Sequence, residues 1–76
     1  MNNERRKRIS AAFEAINDAL ESVRDLANEE QDAFDAMPEG LQESERGQAS
    51  SDAAATLEEV VDLLEESMAS LERASE

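Results

Sequence analysis

The sequence predicts an all-α protein: an antiparallel two-helix hairpin that dimerises into a four-helix bundle. Three observations predict it. Large apolar residues recur in alternating steps of four and three through both halves of the chain. The single Pro and both Gly fall in one short stretch between those halves. One antiparallel register gives nearly every seam residue an apolar partner.

The first half carries Ile9, Phe13, Ile16, Leu20 and Val23, then Ala27 and Phe34, a heptad row interrupted at Glu30. A stripe of this period is the mark of an amphipathic helix that packs along one seam. No Pro or Gly occurs before Pro38, so the predicted helix runs from about residue 3 to about residue 35. Asn3 suits its N-cap.

The stretch MPEGLQESERGQASSD, residues 37–52, follows. Pro38 fits a first helical position, and Ser44 fits the cap of a second long helix. The expected arrangement is a bend and short helical turn over 36–43. A helix then runs over about 44–74, the whole chain being one helical-hairpin domain. Gly47, inside that helix, is expected to cost about 1 kcal/mol relative to Ala. Phe34, Met37 and Leu41 are expected to fasten the tip to the body.

The second seam is Leu57, Val61, Leu64, Met68 and Leu71. Pairing residues whose numbers sum to 84 sets Phe13 on Leu71, Ile16 on Met68, Leu20 on Leu64, Val23 on Val61 and Ala27 on Leu57. Phe34 then faces Ser50, and Glu30 faces Ala54, a weak spot. The same register sets the basic run Arg5–Arg8 beside Glu65, Glu66, Glu72 and Glu76. Each cluster opposes the dipole of its own helix end and suits the other's. A two-helix hairpin buries little by itself. The apolar stripe is also wider than one seam needs, which marks Leu26, Val60 and Leu63 as candidate self-association residues of a homodimer.

Composition narrows the function. The net charge is −13, with 20 acidic and 7 basic residues. Such a chain is repelled by free nucleic acid and by anionic membranes and is attracted to basic protein surfaces. The expected partner is therefore a protein with a basic surface, with no direct nucleic-acid or membrane contact. With no Cys and no His, disulfides, thiol nucleophiles, imidazole bases and the common zinc and haem ligands are excluded. No apolar run approaches the ~20 residues of a membrane span. The basic start lacks the apolar stretch of a secretory signal, so the expected location is the cytoplasm.

No phosphate-binding loop, dinucleotide fingerprint, calcium-loop spacing or nucleophile elbow is present. The carboxylates lie at helical spacings on open faces rather than paired in a pocket, as acid–base catalysis requires. No enzyme activity, cofactor or metal is expected. Carboxylates spaced along a rod of about 45 Å can instead imitate a line of phosphates and occupy the basic groove of a nucleic-acid-binding protein. The candidate contact residues are Glu29, Glu30, Asp32 and Asp35, then Glu58, Glu59 and Asp62. Glu43, Glu45 and Arg46 add a site at the tip.

The run EEQDAFDAMPEGLQESERGQ, residues 29–48, resembles a recurrent stretch in small acidic helical proteins of phages and prophages. The likeness extends over most of the chain from about residue 9. It carries no catalytic motif and implies origin more than activity. A phage protein of this kind is expected to inhibit or modulate a host protein, such as a nucleic-acid-binding or defence protein. The alternative it leaves is a self-associating bundle with a structural role in phage assembly; the compartment implied is the host cytoplasm. The segment ASSDAAAT, residues 49–56, departs from the group in being smaller and more polar. That departure bears on the continuity of the second helix at its start.

Overall fold

The computed structural model describes residues 1–76. It contains helix and no strand: α1 (Asn3–Asp35), α2 (Glu39–Gln42) and α3 (Glu45–Ala74). α1 and α3 pack along their lengths, giving a rod of 58 × 14 × 12 Å. Its radius of gyration is 17.2 Å, where a compact chain of this length would have about 11 Å. No helix is long and apolar enough to cross a membrane.

The start of α1 is capped by Asn2, not Asn3. The Asn2 side chain accepts a hydrogen bond from the Arg5 backbone N–H at 2.8 Å, satisfying one of the orphan donors of the first turn. α1 stops at Asp35 because Pro38 lies just beyond and the residues before it must leave the helix. Pro38 is extended at φ −57° and ψ 149° and opens the single turn α2. Ser44 then caps α3, its side chain accepting from the Gly47 N–H at 3.2 Å. α3 is continuous from Glu45 to Ala74, residues 49–56 included. The Ala residues there are strong helix formers, and Ser50 and Ala54 are buried.

The seam follows the heptad register through both helices. Every seam position from Ile9 to Phe34 on α1, and from Gly47 to Leu71 on α3, is buried or half-buried. Three contacts between the helices show how the ends meet. The Arg6 side chain donates to the Ser75 carbonyl at 3.1 Å. The Arg24 guanidinium pairs with Glu65, and Ser50 donates to the Glu30 carboxylate at 2.6 Å.

Several expectations change here. Glu30 is no weak spot against Ala54: it is half-buried and takes the Ser50 hydroxyl as its partner. A carboxylate on the seam is thereby hydrogen-bonded rather than stranded. The expected ion pairs between Arg5–Arg8 and the acidic end of α3 do not form, and Arg24–Glu65 is the one salt bridge. The cause is helical phase. Arg6 falls on the seam, while Arg5 and Arg8 turn to a groove with Met1, Ile9 and Ala12, away from the row Glu58, Glu65 and Glu72. Phe34 and Met37 are half-buried, and Leu41 is 37% exposed.

Gly47 also changes its meaning. No residue has a positive φ, so neither glycine is there for backbone freedom. A Cβ at Gly47 would collide with the backbone carbonyls of Leu41 and Gln42. Gly47 is what lets α2 lie directly on α3.

Candidate interaction surfaces

A 3.5-residue repeat sorts each helix into a seam, two flanks and an outward ridge. The contacts fix which flanks lie together. The Arg24–Glu65 ion pair joins one flank of α1 to one flank of α3. A groove lined by Ala12, Ile16, Leu63, Glu66, Ser67 and Ala74, among others, joins the opposite pair. The two sides of the rod are therefore chemically distinct.

The acidic side and the outward ridges hold most of the charge. Along α1, Glu14, Asp18, Glu21, Asp25, Asp32 and Asp35 advance in the same four-and-three steps as the seam, with Asn28 filling the one gap. All six are exposed. At 1.5 Å per residue this ridge is about 30 Å long, with a carboxylate every ~5 Å where it is unbroken. None of the six has a cationic partner; Asp35 accepts a hydrogen bond from Gln31 at 3.0 Å. On α3, Glu58, Glu65 and Glu72 make a second row, with Asp52, Glu59, Asp62 and Glu66 beyond it.

The residues expected to bind a partner do not gather into one patch. Asp32 and Asp35 belong to the α1 ridge. Glu58, Glu59 and Asp62 belong to the acidic side of α3. Glu29 turns by helical phase to the opposite side, which carries few charges. Glu30 is half-buried in the seam and engaged by Ser50. Glu43, Glu45 and Arg46 are exposed at the corner between α2 and α3. The sequence reading missed Glu14, Asp18, Glu21 and Asp25, although their four-and-three spacing was there to be found, one step around the helix from the seam.

The corner that carries Glu43, Glu45 and Arg46 is held by polar contacts. The Gln42 side chain donates to the Phe34 carbonyl at 3.1 Å, and the Gln48 side chain donates to the Gln42 carbonyl at 3.2 Å. The Ser44 hydroxyl donates to the Leu41 carbonyl while accepting from Gly47. One hydroxyl so terminates α2 and starts α3, and the three exposed charges are displayed from ordered backbone.

The surface depressions are open grooves lined by five to eight residues. No three carboxylates converge in a way that could hold a metal ion. Leu26 and Leu63, marked for self-association, are 51% and 60% exposed, and Val60 is half-buried. No known protein family, curated protein or solved structure matches the chain.

Proposed function

We propose that the helix pair is an antiparallel hairpin acting as a non-catalytic binding protein, which uses its acidic ridge to occupy a basic surface on another protein. The observation that carries this reading is the α1 ridge. Six exposed carboxylates in regular steps, unpaired with any cation of the chain, concentrate negative potential along a stiff line. Fixed charges on a helix lose little conformational entropy on binding, and each one engaged by Lys or Arg replaces a phosphate contact of that partner's nucleic acid. The partner class is a nucleic-acid-binding protein. If the chain is phage-encoded, as its resemblance suggests, that partner is a host protein, such as a defence protein, in the host cytoplasm. The effect would be inhibition or modulation by occupancy.

The test is capture from host lysate at low and high salt, using the wild type and a variant with Glu14, Asp18, Glu21 and Asp25 changed to Gln or Asn. We expect a basic protein to be retained at low salt and released as salt screens the contact. The ridge variant should not retain it. The recovered partner should lose nucleic acid when the wild-type chain is added. Equal recovery by the ridge variant would end this reading.

A second reading is favoured by the exposure of Leu26 and Leu63: a self-associating four-helix bundle with a structural role in phage assembly. Bundle formation and acidic-ridge binding are compatible, because they use opposite sides of the rod.

A further inference from the structure

We propose that the acidic ridge of α1 seats one α-helix of the partner protein. That helix is basic and amphipathic, about 20 residues long. It lays a row of Lys and Arg on the ridge and an apolar row on the strip beside it. The inference rests on the acidic-ridge reading above and names the element of the partner that the ridge receives.

Two adjacent rows on α1 carry it. The ridge from Glu14 to Asp35 is charged, exposed and without a cationic partner. The row next to it, on the side away from Arg24, is Ala15, Ala19, Ser22, Leu26 and Ala33, with Glu29 the one charge. All are exposed, Leu26 at 51%. This strip advances in the same four-and-three steps as the ridge, roughly 100° around the helix from it. Its small side chains let another helix approach closely. Glu29 stands beside Asn28, the one neutral place on the ridge, so the charge at that level shifts by one position and the line is not broken.

Spacing selects a helix. A partner helix with cations in four-and-three steps repeats them every ~5 Å, as the ridge repeats its carboxylates. A strand repeats them on one face every ~6.7 Å. Between Glu14 and Asp25 alone, a strand therefore falls out of step by about 4 Å. A strand also turns alternate side chains to opposite faces, so it cannot lay a charged row and an apolar row on one side. A helix whose charged and apolar rows adjoin does both.

Charge selects the chemistry of that helix. An apolar helix would desolvate the carboxylates without pairing them, which is costly, whereas a row of Lys or Arg gives each a charge-assisted hydrogen bond. A second copy of this chain has no such row. Four of its seven cations are consecutive at residues 5–8, and Arg24, Arg46 and Arg73 stand alone. A cationic chain without apolar residues would pair with the ridge and leave Leu26 in water. The helix that answers both rows is basic and amphipathic. Val60 and Leu63 lie on α3 and stay outside this contact.

Two synthetic peptides of one composition, each added to the full chain, test this. In the first, Lys recurs in four-and-three steps with Leu and Ala in the adjoining row. In the second, the same residues are reordered so that Lys and apolar residues alternate. Fluorescence anisotropy at low salt should show the first binding at least about 10-fold more tightly than the second, and circular dichroism should show it gaining helix on binding. Changing Glu14, Asp18, Glu21 and Asp25 to Gln or Asn should release both peptides. Leu26→Gln should weaken the first alone, by about 5-fold. Equal affinity of the two peptides would overturn the helix and leave the acidic ridge as a site read by charge alone. Binding of neither at low salt would overturn the acidic-ridge reading, and this inference with it. If Leu26→Gln leaves the first peptide bound as before, the strip is no part of the seat and the proposal fails. It fails also if the chain alone sediments at twice its mass and Leu26→Gln returns it to single-chain mass, because the strip then belongs to a second copy.

Discussion

The two ends of the rod are built from the same heptad pattern and pack differently. From Leu20 and Val61 toward α2, the seam contains all the buried residues: Leu20, Ala27, Gly47, Ser50, Ala54 and Val61. At the opposite end, Ile9, Phe13, Ile16, Met68 and Leu71 are larger and more hydrophobic, yet each is only half-buried. A groove lined by Arg6, Ile9, Phe13 and Ser75, among others, remains there. Burial here does not follow the hydrophobicity of the residue. Ala, Gly and Ser on α3 have little surface to cover, whereas the bulky residues of the other end present more than two helices without a third layer can cover. The end near α2 is also tied by the Gln42, Ser44 and Gln48 hydrogen bonds, while the far end has one cross-contact, from Arg6 to the Ser75 carbonyl.

The sharpest way to break this contrast is one substitution made at each end. Leu20→Ala, at a position only 3% exposed, should lower unfolding free energy by about 3 kcal/mol. Leu71→Ala, half-buried at the open end, should cost about 1 kcal/mol, because most of its surface term is never gained. Urea unfolding followed by circular dichroism measures both, and equal losses would remove the difference between the ends.

The two glycines provide a smaller and more pointed test. Helix propensity alone says that Gly47→Ala should gain about 1 kcal/mol. The collision of a Cβ with the Leu41 and Gln42 backbone outweighs that gain, since overpacking against backbone costs about 1–3 kcal/mol or more. The expected net loss is about 2 kcal/mol. Gly40→Ala, with open space around it, should be neutral or gain about 0.5 kcal/mol. If Gly47→Ala proves as stable as Gly40→Ala in the same urea assay, the close seating of α2 on α3 is wrong.

The smallest expected effect concerns the polar contact within the seam. Ser50→Ala removes the donor to Glu30 and should cost about 1 kcal/mol. Adding Glu30→Gln should recover part of that loss, because an uncharged amide is less costly to leave half-buried. A double-mutant cycle with no coupling between the two positions would show that the hydrogen bond contributes nothing to the tight end.

How much of this was legible beforehand differs by feature. The helical periodicity, the break between the long helices and the Ser44 cap could be read directly, because each depends on local spacing and local hydrogen bonding. The acidic character of the surface could also be read, but its grouping could not. Glu29 and Asp32 are neighbours in sequence and turn to different sides, and Glu30 between them enters the seam. The ridge from Glu14 to Asp35 spans six turns of helix and emerges only when the phase of the seam is carried around to the far side. The expected pairing of Arg5–Arg8 with the acidic end of α3 failed for the same reason: nearness along the rod does not bring side chains together when helical phase points them apart.

By itself the sequence determined what is local: α-helix throughout, a seam of period 3.5, a break at Pro38, and a net charge that leaves carboxylates on every exposed face. Only the tertiary structure decided which seam residues lose water completely, that Gly47 is required by a backbone contact, and that Ser50 satisfies Glu30. It also decided that the rod has one strongly acidic side and one that carries few charges. The physical reason is that these depend on the distance and rotation between two helices. The smallest side chains and the phase of each helix set those two quantities jointly, and neither helix specifies them alone.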